Sequence, residues 1–224
     1  MPGVGPIIVS TGVAASDRRT FRELKDELAR SYNPDDETTL AIAGEAINAA
    51  IRSYNRFNWP WEILTHSISI TADVDTYALP QAFKSPLSAY LLNSSRRNRR
   101  LGYMPYETFS TEYALNGNGE PRIYTLKNVH ETGLVTYWPR PQSSYDAEVD
   151  YYRRTPIMRS DNDPLDVPME AEEGILSWAW YEFVKRIGGE FGASRIGAAL
   201  SEARMSRSEL VYMVSERGDS IGVV

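Results

Sequence analysis

The chain contains few residues of the types that carry catalysis or bind metals. It has no cysteine, and its two histidines, His66 and His130, lie far apart in sequence. The lack of cysteine excludes disulfides, thiolate catalysis and cysteine-based metal sites, and the histidines form no pair at metal-ligand spacing. The sequence also lacks a phosphate-binding glycine loop with its lysine, and a nucleophile elbow. We therefore expect no catalytic, metal-binding or cofactor-binding residues, and we predict that the protein is not an enzyme.

Acidic residues are numerous, but they do not form a recognisable site. Asp161, Asn162 and Asp163 resemble the start of a calcium-binding loop, yet the third ligand, the turn glycine and the distant glutamate are missing. A flexible acidic linker explains these residues better. Because 30 acidic residues produce many carboxylate pairs by chance, a glycan hydrolase that uses two carboxylates remains an alternative without a motif of its own.

The densest charge cluster is a run of four arginines, Arg96, Arg97, Arg99 and Arg100, which we place at the tip of a hairpin. One interpretation is a basic loop that contacts DNA phosphates or an acidic protein surface. The other is a solvated loop that keeps edge strands from pairing wrongly. Both remain open, and the net charge of -6 favours a protein partner over DNA.

Tryptophans suggest a third kind of site. Trp59, Trp61 and Trp138 could stack on sugars, as they would in a carbohydrate-binding module, and binding to glycans would support that alternative. Trp178 and Trp180 lie in the middle of an apolar helical stretch, so core packing explains them better.

Composition limits the class of protein. With 224 residues, 42% hydrophobic and 24% charged, the chain is ordinary for a globular protein that has one sizeable domain or two small ones. Its acidic balance argues against a dedicated nucleic-acid binder. No stretch approaches the roughly 18 consecutive apolar residues of a membrane helix, and the first residues lack the features of a signal peptide. We expect a protein that is cytosolic where it is made and has no membrane partner.

Capping signals predict two N-terminal helices, which follow a flexible segment at residues 1–16. Thr20 and Glu23 fit a capping box at the start of the first helix. The second helix, residues 34–56, is rich in alanine, and Asn33 is placed to cap it.

The polar residues of the second helix predict how its outer face is used. Asn48 and Arg52 lie opposite the apolar stripe of this helix. We expect this face to be solvated or available to a partner.

Alternation of apolar and polar residues predicts strands in the middle of the chain. The clearest strand patterns lie at residues 67–71, 74–80, 88–92 and 147–151, and a short helix is predicted near 104–113.

Helical spacing returns in the last third of the chain. An acidic linker leads into an apolar helix, which ends at Gly188 and Gly189, and a last helix runs over about 193–215.

These elements predict an α+β fold. Residues 17–58 and 168–215 form an antiparallel helical bundle, and residues 59–160 form an inserted antiparallel β domain. Residues 216–224 form a separate C-terminal arm with an apolar tip.

The order of several short motifs resembles that of a known family. The motif YALP begins at Tyr77, PRIY at Pro121, YWPRP at Tyr137 and VDYYRRTP at Val149, and LDVPMEAEEGIL begins at Leu165. In this order, the chain resembles the head-to-tail adaptor proteins of short-tailed bacteriophages, of the connector or tail-tubular type, over most of residues 18–215.

The resemblance implies a structural virion protein without catalytic residues. It implies a ring of about twelve copies that joins the capsid portal to the tail, extends the DNA channel and provides a platform for tail proteins. The implied partners are the portal protein, tail nozzle, hub or fibre proteins, and further copies of the chain. Genomic DNA would pass through the channel without sequence-specific binding. Another neck or tail-hub subunit is an alternative of the same class.

The resemblance also implies a site at the end of the chain. In such adaptors the C-terminal segment reaches onto the portal, so residues 216–224 are the expected portal-binding arm. The candidate portal-contact residues are Glu216, Arg217, Ile221, Val223 and Val224. The expected location is the head-tail neck of the virion, assembled in the host cytoplasm.

Overall fold

In the computed structural model of the protein, the described residues are 18–112, 117–129, 133–216 and 222–223. They contain helices and sheets, which confirms the α+β fold class. The chain divides into two compact units. The helical unit contains the described residues of 18–56 and 155–216, and the strand unit contains those of 57–154 with 222–223. The predicted flexible segment 1–16 lies outside the described residues.

In chain order, the helices of the described residues are α1 (Phe21–Ala29), α2 (Glu37–Tyr54), α3 (Tyr106–Glu112), α4 (Met169–Ile187) and α5 (Gly189–Glu216). The helical unit contains all of them except α3, which lies within the predicted stretch 104–113. Helix α4 packs against α2 and α5, and α1 packs against α2. Their shared core contains the buried side chains of Leu24, Ile47, Ile51, Ile175 and Phe183.

Local capping explains where the first two helices begin. The capping box of α1 is confirmed, because the Thr20 side chain accepts from the Glu23 N–H and the Glu23 carboxylate accepts from the Thr20 N–H. The predicted cap of α2 is wrong. Asp36 caps this helix by accepting from the Thr39 N–H at 2.8 Å, because an aspartate directly before the helix satisfies a free amide that Asn33, three positions earlier, does not reach.

The acidic linker is held in place rather than left flexible. The Phe21 N–H donates to the Asp163 carbonyl at 2.9 Å, and the Leu165 N–H donates to the Arg19 carbonyl at 2.9 Å. The Lys25 ammonium lies 2.5 Å from the Asp161 carboxylate. The linker therefore follows the start of α1, and its acidic residues bind groups of the same unit.

Two asparagines of the helical unit bind the linker chain, which corrects the expectation for Asn48. The Asn48 amide donates to the Met158 carbonyl at 2.8 Å and accepts from the Met158 N–H at 2.9 Å. Asn55 forms the same pair of hydrogen bonds with Thr155, both at 2.9 Å. Asn48 is thus used inside the unit, whereas Arg52 is exposed as expected.

In chain order, the strands of the described residues are β1 (Phe57–Asn58), β2 (Ile63–Ile70), β3 (Thr76–Ala78), β4 (Phe83–Asn93), β5 (Arg96–Arg100), β6 (Gly102–Tyr103), β7 (Asn118–Gly119), β8 (Ile123–Lys127), β9 (Leu134–Trp138), β10 (Arg140–Pro141), β11 (Tyr145–Arg153) and β12 (Gly222–Val223).

The strand unit is built from two four-stranded sheets. The first sheet has the order β2-β11-β4-β5 and is antiparallel throughout, and the second has the order β3-β9-β8-β6. In the second sheet β6 pairs in parallel with β8, and a small separate pair, β7 with β10, is also parallel. Buried side chains of both sheets form one core, which includes Ile70, Leu91 and Val149 from the first sheet and Val135 and Tyr137 from the second.

The placement of the arginine run at a hairpin tip is wrong. The turn between β4 and β5 is made by Ser94 and Ser95, which both have positive φ, as the two central residues of a type I′ turn do. Because this turn needs only two residues, the arginines already belong to the returning strand β5. They lie at the edge of the first sheet.

Candidate functional site

The arginines of β5 fall into two groups. Arg97 Nη2 lies 2.6 Å from Asp150 and Arg97 Nε lies 2.9 Å from Glu148, while its guanidinium stacks on the Tyr90 ring at 4.5 Å. Arg99 lies 2.6 Å from Glu120. Within the described part of the chain, Arg96 and Arg100 have no acidic partner, and both are exposed. Only these two of the four predicted contact residues have a guanidinium that is free of ion pairs.

Asp150 is the centre of the polar network behind β5. Its carboxylate is buried and accepts from the Thr65 hydroxyl at 2.7 Å, the Ser88 hydroxyl at 3.0 Å and Arg97 Nη2 at 2.6 Å. Burial alone would raise the pKa of Asp150, but the hydrogen bonds from Arg97, Thr65 and Ser88 and the Arg97 charge outweigh it, so the pKa lies below its ordinary value. This network fixes β5 to β11 through side chains as well as through β4.

A second buried ionic group lies near β1. Glu62 and the side chain of Lys84 are almost fully buried, with 3.5 Å between Lys84 Nζ and the Glu62 carboxylate. Lys84 also donates to the Phe57 carbonyl of β1. Burial lowers the pKa of Lys84, and the Glu62 carboxylate opposes that shift. The pair therefore ties β4 to the backbone of β1 inside the strand unit.

The candidate portal-contact residues lie where the described chain ends. Glu216 is the last residue of α5, and Val223 belongs to β12. Strand β12 pairs antiparallel with β1, and Val223 is opposite Phe57. Arg217, Ile221 and Val224 lie outside the described residues. Sequence reasoning missed the pairing of β12, because two residues carry no strand signal of their own.

Two open clefts lie on the described surface, one in each unit. The cleft of the strand unit has a volume of about 600 Å³ and is lined by Tyr103, Tyr106 and Lys127 among others. The two tyrosines are 52% and 44% exposed, and Lys127 Nζ lies 4.8 Å from the centre of the Tyr106 ring. Exposed tyrosines of this kind are common anchors of protein interfaces.

The cleft of the helical unit lies beside α1, α4 and α5. Its volume is about 420 Å³, its apolar side includes Leu176 and Trp180, and Glu27, Glu173 and Glu202 line it as well. Both clefts are open grooves, and neither was predicted, because their lining residues are distant in sequence.

Some of the residues that were considered for alternative sites are used within the fold. Trp59 is 1% exposed and stacks on Trp61 with ring centres 4.7 Å apart, so Trp59 offers no face to a sugar. Trp178 and Trp180 are half-buried. The Asp163 carboxylate accepts from the Arg159 and Ser160 N–H groups. No group of three metal-ligating residues occurs within the part of the chain that the structure describes.

Among the described helices, none is both long enough and apolar enough to cross a membrane. The family model described as SU10 adaptor protein matches residues 19–218, which is well over half of the 224 residues. No curated protein matches the chain.

Proposed function

The chain belongs to the SU10 adaptor protein family, and on this premise we propose that it forms a ring that joins the capsid portal of a phage to its tail. The ring has about twelve copies, as closed head-to-tail assemblies allow. It extends the DNA channel and offers a platform to tail nozzle, hub or fibre proteins. The protein acts as a structural part of the virion and not as an enzyme.

The observation that carries this proposal is the extent of the family match. It begins at residue 19, next to the cap of α1, and ends at residue 218, just after α5. It therefore includes the helices of the helical unit and both sheets of the strand unit. A match of this length concerns the whole architecture and not one shared motif.

Two groups of residues are proposed as contacts. The C-terminal arm, residues 216–224, binds the portal through Glu216, Arg217, Ile221, Val223 and Val224. The exposed arginines of β5, Arg96 and Arg100, contact an acidic protein surface, while Arg97 and Arg99 hold that strand in place. A protein partner fits the net charge of -6 better than DNA does.

The same net negative charge suits a channel through which DNA passes without binding to the channel wall. A negative lumen repels phosphates and provides no base-specific contact. In this proposal the protein is assembled in the host cytoplasm and remains at the head-tail neck of the virion.

The test is a binding experiment with portal rings from the same phage genome. We expect the full chain to form a complex with about twelve copies per portal, measured by native mass spectrometry and electron microscopy. A chain that lacks residues 216–224 should lose portal binding while its circular dichroism and melting temperature stay close to those of the full chain.

A failure of the full chain to bind the portal would contradict the proposed function. Portal binding by the shortened chain would contradict the role of the arm alone. Replacing Arg96 and Arg100 with glutamine should leave the binding of single copies to excess portal unchanged and weaken the contact with the acidic protein surface, so the two contact groups can be tested separately.

A further inference from the structure

The longest edge strand in the described part of the strand unit is β2. This strand has eight residues, Ile63–Ile70, with the sequence ILTHSISI. It contains no acidic residue, lysine, arginine or proline, and Ile63 and Leu64 are 38% and 42% exposed. Within the described residues, β2 pairs with β11 alone. One whole edge of this strand, about 26 Å long at 3.3 Å per residue, therefore presents backbone groups that no other described strand pairs with.

The other sheet edges are shorter, and each has features that limit which strands can pair with it. Strand β5 contains four arginines in five residues, and its register with β4 shifts between Leu91 and Leu92, which marks a bulge. The edges of the second sheet, β3 and β6, have three and two residues. Strand β2 has none of these features, and its eight pairs with β11 run without a register shift. An edge that is long, regular and uncharged is suited to pairing with another strand.

From these features we propose that β2 of one copy pairs with β5 of the next copy, so that the first sheet continues from subunit to subunit. This inference rests on the proposed ring and identifies an interface within it. The direction of the strands fits. Each neighbouring pair in β2-β11-β4-β5 is antiparallel, so β5 runs opposite to β2. A neighbour in the same orientation brings its β5 antiparallel to β2, and the contact repeats head to tail.

Charge complementarity supports the choice of a second copy as the partner. On the polar face of the first sheet, Ser69 of β2 hydrogen-bonds to Asp146 of β11. Asp146 is exposed and has no basic partner within the described chain. On the same face of β5, the guanidinium group of Arg100, which lies opposite Tyr90 of β4, is likewise without an acidic partner within the described chain. The surplus charges at the two edges are therefore of opposite sign.

Distance and side-chain size allow these charges to meet. A strand that pairs with β2 lies two strand spacings from β11, which is about 10 Å. The side chains of Thr65, Ser67 and Ser69 between them are small and exposed. An arginine on the added strand can reach across β2 to the exposed carboxylate of Asp146. In water-exposed positions such a pair contributes little energy, but it selects the partner and its direction.

Because the chain contains no cysteine, disulfide cross-linking between introduced cysteines can test this pairing. One chain carries Ser67→Cys on β2 and another carries Asn98→Cys on β5. Under mild oxidation on portal rings, the mixture should form disulfide-linked dimers, and a chain with both substitutions should form ladders.

A disulfide within one chain is excluded, because β2 and β5 are three strand spacings apart, about 14 Å, whereas bonded cysteines need Cα atoms within about 7 Å. The control mixes Asn98→Cys with Ser143→Cys, an exposed loop position of the same unit, and should give no dimers.

A second variant tests the pairing without cysteine. Ser67→Lys adds a charge to the β2 edge and should weaken ring formation on the portal by about tenfold or more, while single copies still bind excess portal. Ser143→Lys has the same charge and should assemble as the unmodified chain does.

The outcomes distinguish a failure of this inference from a failure of the proposed function. Portal-bound rings that neither cross-link between positions 67 and 98 nor respond to Ser67→Lys would overturn the pairing and leave the adaptor role intact. Cross-links that form only after a tail protein is added, and only to that protein, would overturn the second copy as partner. If the unmodified chain does not bind the portal and forms no oligomer, the proposed function and the pairing fail together.

Discussion

At the scale of single residues, Asp150 is the polar group on which the first sheet depends most. Its buried carboxylate accepts hydrogen bonds from Thr65, Ser88 and Arg97. We expect Asp150→Asn to lower the free energy of unfolding by about 1–3 kcal/mol, since an amide removes the buried charge beside Arg97, which keeps only its pair with Glu148, and leaves one donor without an acceptor. The measurement is urea unfolding at neutral pH.

Asp146 provides the matched control for that substitution. It lies four residues earlier on the same strand, is exposed, and accepts one hydrogen bond, from Ser69. Asp146→Asn should change the free energy of unfolding by no more than about 0.5 kcal/mol. Equal losses for the two variants would show that burial and the Arg97 contact do not set the contribution of Asp150.

The pKa of Asp150 predicts the pH at which its contribution disappears. The folded value lies below the ordinary value of 3.8, so the unfolded chain takes up the proton first as the pH falls. The stabilisation is therefore fully present above 3.8 and is lost as the pH falls through the folded value. The difference in free energy of unfolding between the unmodified chain and Asp150→Asn should shrink below pH 3.8. A difference that stays constant down to pH 2 would contradict this assignment.

The buried pair of Glu62 and Lys84 should respond differently to single and double substitution. Lys84→Met leaves the Glu62 carboxylate buried beside an apolar side chain, and we expect a loss of about 3–5 kcal/mol in unfolding free energy. Combining it with Glu62→Leu should restore most of that loss, because an apolar pair of similar volume avoids the desolvation of both charges. Urea unfolding of the three chains makes the comparison. A double variant as unstable as Lys84→Met would contradict the ionic explanation and point to the hydrogen bond from Lys84 to Phe57.

The contacts of some of these residues can be predicted from the sequence, and those of others cannot. Thr20 and Glu23 are predictable because a capping box is local in sequence. The partners of Asp150 are not, because Thr65, Ser88 and Arg97 come from three other strands whose register no local pattern gives. Glu62 and Lys84 carry no sign of burial either, since charged residues are normally exposed.

At the scale of secondary structure, two glycines test how closely the helices pack. A Cβ at Gly174 of α4 would lie 2.5 Å from the Tyr54 hydroxyl oxygen of α2, whereas a Cβ at Gly197 of α5 would have no atom within 4 Å. We expect Gly174→Ala to lower the unfolding free energy by about 1–3 kcal/mol through overpacking. Gly197→Ala should raise it by about 0.5–1 kcal/mol through helix propensity. Thermal and urea unfolding measure both changes, and a stabilising Gly174→Ala would show that α2 and α4 can separate without cost.

The type of each helix or strand was easier to predict than the residues at which it begins and ends or the role that it has. Helix α4 ends at Ile187, directly before the predicted glycines, and Gly188 and Gly189 both have the positive φ that favours glycine. The next helix begins at Gly189 rather than near 193, because these two glycines complete the change of direction. The arginine run belongs to a strand for a similar reason, since two serines complete the turn before it. In both cases the length of the turn sets the residue at which the next element, α5 or β5, begins.

At the scale of the whole molecule, the chain leaves the helical unit near residue 56 and returns near residue 155. The α+β fold class was predictable because the period of the apolar residues changes from helical to alternating and back again. The division of the strands into two sheets was not predictable, because β3 lies between β2 and β4 in sequence but belongs to the other sheet. The proposed β2 edge was equally hidden. Its uncharged sequence is visible, but the strand order that leaves it unpaired is a property of the fold.

The last prediction concerns the C-terminal arm. Strand β12 pairs with Phe57 and Asn58 of β1 in the isolated chain, and we propose that the portal binds the arm after this pairing has opened. Portal binding should therefore increase hydrogen exchange at the amides of residues 57 and 58, measured by mass spectrometry, because the opened strand loses its protection. A chain that lacks residues 222–224 is the control, and its exchange at these amides should be fast with or without portal. A bound chain in which residues 57 and 58 remain as protected as in the free protein would contradict the role of Val223, because β12 would then still lie on β1 while the portal is held by other residues.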